Sequence, residues 1–310
     1  MSRIPDNKKL ILVNIPGSHD SAAYDMHSCG SIFAKTQYYS ILDQLKIGGR
    51  IFDIRITTDK SGQHRTIEED VMNDTDLICC HGICNCHYTE NKIRRILTFK
   101  DVLNQMRYFL SEHPTETIIL RTQSGRGKKH INVRRSLEVA QKLIGDIAAE
   151  YNEKYTMGDV RGKIIYTTFL TDTKNEQGFP VYKSRLDTST SIIPTHYNFT
   201  NNYPKFEEYK VWGQLKVKEI KELINNYEFT FEEAERLNNK RRGFILPLNY
   251  ETSCTGEFYR CLPLPKYEAK IVNQYLIEHN FKPGYYYGWI SVDFLEERIT
   301  QRIINSNFVV

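Results

Sequence analysis

Eight short apolar runs punctuate this chain of 310 residues, and the stretches between them repeat their apolar residues at helical spacing. The runs cover residues 10–15, 50–56, 77–81, 117–122, 163–169, 211–215, 244–249 and 287–293. A strand that is apolar on both faces needs cover on both faces, which a parallel sheet wrapped by helices provides. Residues 99–112 read as one such covering helix, with Val102, Leu103, Met106, Phe109 and Leu110 along a single face. Residues 133–151, 217–226, 230–239 and 266–279 have the same pattern. Eight strands alternating with helices predict an α/β fold closed into one TIM (β/α) barrel over residues 1–310. No internal repeat, low-complexity tract or linker interrupts it, although the first strand-to-strand connection and residues 171–210 look irregular.

Composition narrows the function. A formal charge of +4 is too mild for a dedicated nucleic-acid binder, yet it would not repel an anionic membrane. The 20 tyrosines and 15 phenylalanines exceed what a core needs and leave some for an interface with lipid. No apolar stretch approaches the ~18 residues of a membrane span. The N-terminal apolar run lacks a small-residue cleavage site and is needed as a strand, so a cytoplasmic or peripheral-membrane monomer is expected. Four of the seven cysteines (Cys79, Cys80, Cys84 and Cys86) crowd around His81 and His87. Their spacing does not match the paired C-x2-C of zinc knuckles, so reduced thiols are expected rather than a metal site.

The chemistry collects where the runs end. The first breaks into Pro16-Gly17-Ser18-His19-Asp20-Ser21, the second contains Asp53-Ile54-Arg55, the third stops at His81-Gly82, and the last ends at Asp293. In a barrel, C-terminal strand ends converge, and the first and last strands are neighbours. His19 can then serve as a general base oriented by Asp293, the alternative for Asp293 being a helix N-cap. Asp53 and Arg55, two residues apart, face the same side of their strand. Arg55 offers a planar, permanently charged fork for a phosphate, where a metal-dependent enzyme would gather carboxylates. His81, followed by a glycine that lets the chain turn, is the candidate acid, ahead of His87. A basic stretch, Arg126, Lys128, Lys129, Arg134 and Arg135, follows the fourth run and could meet anionic headgroups, although solvation explains each residue as well.

Taken together, the motifs IPGSHDS, GGRIFDIR, CHG with HYT, HPTETII, DVRGKII, EEYKV and GWISVDF resemble the phosphatidylinositol-specific phospholipase C family. They match its catalytic X domain, above all in the small metal-independent bacterial form, and run in order from residue 15 to residue 294. The resemblance implies a distorted TIM barrel without a second domain and without a cofactor or metal. It implies that His19 is the base assisted by Asp293, Arg55 the phosphate ligand, and His81 the acid, with Asp20 and Asp53 in support. It further implies an intramolecular first step, in which the inositol 2-hydroxyl attacks phosphorus and diacylglycerol leaves. Tyr209 matches an aromatic residue that stacks on inositol, and Glu207 falls where the family has an aspartate for the ring hydroxyls. Phe33, Phe258 and Tyr259 fall where the bacterial form places membrane-facing aromatics.

Two positions depart from the family pattern. The fourth run ends Arg121-Thr122-Gln123, with Gln123 in place of a lysine, and Thr168-Phe169 stands where the family has an arginine. Both changes fall on substrate binding, so the inositol phospholipid expected as substrate is plain, phosphorylated or glycosylated. The competing readings are a metal-dependent barrel phosphodiesterase of the glycerophosphodiesterase or sphingomyelinase D type, and an inositol-lipid binding module without catalysis.

Overall fold

The computed structural model describes residues 1–26, 34–58, 77–125, 133–152, 154–168, 182–183, 231–232, 235 and 265–309. The expected strands at 211–215 and 244–249, the helix at 217–226 and most of 230–239 lie outside the described residues, as does the basic stretch from Arg126 to Lys129.

The spine is a run of parallel strands. β1 (Ile15–Ser18) lies between β2 (Ile51–Thr57) and β11 (Trp289–Val292), the last strand of the chain. β2 continues the sheet to β7 (Ile118–Ser124), β7 to β9 (Ile164–Thr168), and β9 to the short β10 (Tyr182–Lys183), with β8 (Ala148–Ala149) also beside β9. The first and last strands are therefore neighbours, as a barrel requires.

Strand parity divides the core. Phe52, Ile54, Ile56, Ile118, Leu120, Ile164 and Tyr166 pack outward against α2 (Phe99–Glu112), whose Val102, Leu103, Met106, Phe109 and Leu110 are all buried. Helix α3 (Val133–Ile144) extends that layer. Ile290 and Val292 pack against α5 (Pro265–Glu278) and α6 (Glu297–Asn305). The odd-numbered residues Ile15, Ile51, Ile119, Ile165 and Trp289 form a separate apolar cluster, the barrel floor. Each fully buried Val, Leu or Ile contributes about 1.5–3 kcal/mol. The expected helix 99–112 is reproduced residue for residue because Thr98 and Asp101 form a reciprocal capping box at its start.

Two expectations are corrected. The first strand is not residues 10–15: Leu10–Leu12 is a 3-10 turn, and the Pro-Gly-Ser motif read as a turn is itself the strand. Pro16 lacks an N–H but its carbonyl accepts from Arg50 N at 2.9 Å. Gly17 lets two strands close in, since a Cβ there would sit 2.4 Å from the Ile51 Cβ and 2.7 Å from the Ile51 carbonyl oxygen. The third run, β3 (Ile78–His81), is not a parallel barrel strand either. It returns antiparallel along the end of β2, and a two-residue turn joins it to β4 (Cys84–Asn85). A second hairpin follows, β5 (His87–Glu90) with β6 (Ile93–Ile96), its turn residues Asn91 and Lys92 both at positive φ.

Gly17→Ala should destabilise the protein by about 1–3 kcal/mol, because the obstructing atoms include backbone that cannot rotate away. A lowered urea midpoint at unchanged slope would show this.

Candidate active site

Above the apolar floor the barrel interior turns polar. The register pairs Gly17 with Ile51, and Ser18 with both Phe52 and Val292, so one step further His19 stands level with Asp53 and Asp293. Asp53 pairs with Arg121, and Arg121 with Thr167; Arg55 pairs with Gln123. Parity points all of these side chains inward. Five strands thus deliver ionisable or hydrogen-bonding groups to one end of one barrel.

The two histidines are held in opposite ways. His19 Nδ1 lies 2.8 Å from Asp293 Oδ1, and its Nε2 lies 2.8 Å from the Arg55 Nη2 donor. The carboxylate fixes a proton on Nδ1, and the guanidinium leaves Nε2 as the accepting nitrogen. His81 has its Nδ1 2.8 Å from the Ala34 carbonyl and its Nε2 3.2 Å from Asp20 Oδ2. Both of its nitrogens face acceptors, so the doubly protonated ring is satisfied at both ends. Asp20 joins the halves: it is 2% exposed, pairs with Arg55 Nε and His81, and has its Oδ2 3.4 Å from His19 Nε2. Burial alone would push its carboxyl up, but the charges of Arg55, His81, His19 and Arg121 outweigh it and hold Asp20 below the ordinary carboxylate range.

Asp53 is buried and accepts both Gln123 amide contacts, at 2.9 and 3.1 Å, while its backbone N–H is held by Ser21 Oγ. Gln123 is thus engaged with a carboxylate. Arg121, 5% exposed, lies one step deeper on the same strand. Of the expected site residues, His19, Asp20, Asp53, Arg55, His81, Arg121, Gln123 and Asp293 converge here. Glu207, Tyr209, Phe33, Phe258 and Tyr259 lie outside the described residues.

His81 reaches the site by a different route from the one expected, along the antiparallel β3 rather than at a parallel strand end. His87 is buried in β5, where its backbone N–H bonds to the Asp25 carbonyl. Cys79, Cys80, Cys84 and Cys86 are buried, and burial followed by the neighbouring thiols pushes the Cys79 and Cys86 thiols up, away from reactivity. Among the described residues the close grouping of metal-ligand type is His19, Asp20 and Asp53, within 4.8 Å of one another, and the Arg55 guanidinium touches two of the three. The residues that sequence reading passed over are Ser18, Ser21, Thr36, Gln37 and Gln44, whose side chains hydrogen-bond around the His19–Asp20 turn. Serine in a turn and glutamine in a loop read as solvated, so nothing in the sequence marked them.

With this geometry in view, the comparisons with known proteins agree with one another. The chain is similar to bacterial phosphatidylinositol-specific phospholipases C. It is 28% identical over 243 residues to the 1-phosphatidylinositol phosphodiesterase of Staphylococcus aureus (strain Newman), an alignment covering 72% of this chain and 68% of that protein. It is 25% identical over 275 residues to the enzyme of the same name from Listeria monocytogenes, covering 81% of this chain and 76% of that one. A solved S. aureus phosphatidylinositol-specific phospholipase C, from work on modulating its membrane binding, superposes with a TM-score of 0.64 at 19% identity, covering 100% of this chain and 97% of that one. The fold is therefore that of the distorted TIM barrel of those enzymes. No protein-family model matches the chain.

Asp20→Asn should cost about 3–5 kcal/mol at neutral pH, since it leaves the Arg55 guanidinium short of its counter-ion. The sign follows from the lowered carboxyl: the contribution is complete above pH about 4 and is lost as pH falls through the folded-state value. Urea titrations of both proteins from pH 7 to pH 2 should converge at the acid end.

Proposed function

We propose that the chain is a metal-independent phosphodiesterase that cleaves an inositol phospholipid to diacylglycerol and a cyclic inositol phosphate. The observation that carries this reading is the pair of histidines in opposite hydrogen-bonding states, with one arginine between them. The phosphodiester binds Arg55, drawing its fork from His19 Nε2 and Asp20 onto two phosphate oxygens. His19 Nε2 takes the proton of the inositol 2-hydroxyl as that oxygen attacks phosphorus, and Asp293 stabilises the imidazolium that forms. His81, with Asp20 beside it, gives its proton to the departing diacylglycerol oxygen. Nucleophile and phosphorus belong to one molecule, so this step needs no second reactant to be positioned. Asp53, held by Gln123 and Ser21, supports the charge arrangement beneath. Glu207 and Tyr209 take the inositol ring, and a single barrel domain acting as a monomer carries all of this.

Gln123 and Thr168 bring no cation to the headgroup; Arg55 pairs beside Gln123, and Arg121 lies deeper on the same strand as Gln123. A headgroup that does not depend on cations at the rim, such as a plain or glycosylated inositol, fits this better than a phosphorylated one. Binding is at a membrane surface, in keeping with the peripheral or cytoplasmic character of the sequence; among the described residues no helix is long and apolar enough to cross a membrane. Tyr38 is 46% and Ile83, two residues past His81, 58% exposed, and the resemblance gives Phe33, Phe258 and Tyr259 a membrane-facing role. A metal-dependent reading draws on the grouping of His19, Asp20 and Asp53, but a guanidinium already touching two of them repels a divalent ion.

Vesicles of phosphatidylinositol should yield cyclic inositol phosphate, and His19→Ala should lower kcat by roughly a hundredfold to ten-thousandfold. Activity should persist in excess chelator; loss restored by calcium would replace the mechanism with the metal-dependent one, and no cyclic product at all would leave a binding module. Ile83→Asp should weaken vesicle sedimentation up to about tenfold, the loss of one partly inserted side chain, while a soluble short-chain substrate is cleaved as before.

A further inference from the structure

Resting on the proposed reaction, the geometry assigns a positioning role to the buried dipeptide Thr36–Gln37, which clamps the base and its orienting carboxylate to each other. Both residues are buried, at 2% and 0% exposure, in a segment between strands where polar side chains ordinarily face water. The Gln37 amide donates to the His19 carbonyl at 2.8 Å and to the Val292 carbonyl at 3.0 Å, and its Oε1 accepts from the Leu295 N–H at 3.0 Å. One side chain thus holds the backbone of His19 and, on either side of Asp293, the backbones of Val292 and Leu295. Thr36 does the same one position away: its hydroxyl donates to the Asp20 carbonyl at 3.0 Å, and its carbonyl accepts from the Phe294 N–H at 2.6 Å.

The two residues that Thr36 holds both have strained backbones. Asp20 has φ +40° and Phe294 φ +51°, left-handed values that side chains other than glycine rarely adopt. Each adjoins a member of the dyad: Asp20 follows His19, and Phe294 follows Asp293. The dipeptide is itself anchored, since both of its backbone N–H groups donate to the Ala23 carbonyl, at 3.0 and 3.2 Å. Five hydrogen bonds from two adjacent residues therefore span the gap between first and last strands, and relaxing either strained turn would swing one partner of the His19–Asp293 bond away. Neither Thr36 nor Gln37 touches the reacting atoms; they act through the dyad.

The test is Gln37→Leu, which keeps the volume and removes all three side-chain bonds, with Thr36→Val and its conservative counterpart Thr36→Ser. Gln37→Leu should lower kcat ten- to a hundredfold with KM changed less than threefold, and in an Asp293→Asn background its further effect should fall below threefold. Thr36→Ser should recover most of what Thr36→Val loses. The 15N shifts of the His19 ring, read without substrate, should move from the Nδ1–H form toward a mixture of tautomers in Gln37→Leu, whether or not the chain is active on inositol lipids. A folded Gln37→Leu protein with unchanged His19 shifts, or a loss that multiplies fully with Asp293→Asn, would overturn the assignment. If the variants do not fold, hydrogen exchange on the unaltered protein decides: the Gln37 side-chain amide protons should exchange at least a hundredfold more slowly than those of an exposed glutamine, and exchange at the exposed rate refutes the clamp.

Discussion

The hydrogen bond between His19 and Asp293 joins residues 274 positions apart, and the site depends on it. It exists because β1 pairs in parallel with the last strand, placing Ser18 level with Val292 and the next residue of each strand in reach of the other. That pairing in turn depends on Gly17, the residue without a side chain where three strands press together. Folding the ends of the chain side by side is entropically demanding, and the apolar floor of Ile15, Ile51, Ile119, Ile165 and Trp289 offsets it.

Charge is arranged as tightly as the packing. Asp20, Asp53 and Asp293 are all buried within a few ångströms of His19, a concentration that would be unstable without compensation. Arg55 and the deeper Arg121 supply fixed positive charge. Asp20 stays ionised despite burial because these cations surround it. In the proposed reaction the arginine that balances the resting site also takes the incoming phosphate, so binding a phosphodiester would exchange one anionic partner for another instead of exposing a bare cation.

The hairpin that carries His81 shows how the setting of a motif can be misread. The run before it is apolar enough for a central strand, yet β2 pairs directly with β7, leaving β3 to return antiparallel at the strand end. The crowd of cysteines there packs with the apolar core beneath α2, where thiols behave as small apolar side chains.

Residues close in sequence wrote much of the structure. The capped helix 99–112, the strands around 51–57, 118–124 and 164–168, and the placing of His19, Arg55 and Asp293 at strand ends follow from periodicity and local chemistry, which act within a few residues. The tertiary structure decided what depends on distant partners. It made a strand of Pro16-Gly17-Ser18, whose local preference is a turn, because neighbours on both sides supply pairing and a close approach that only glycine allows. It turned Gln123 toward Asp53, and it enlisted Thr36 and Gln37, which no local signal distinguishes from solvated loop residues. Burial is a property of the whole fold, and a polar side chain gains its role only when the fold removes the water that would otherwise satisfy it.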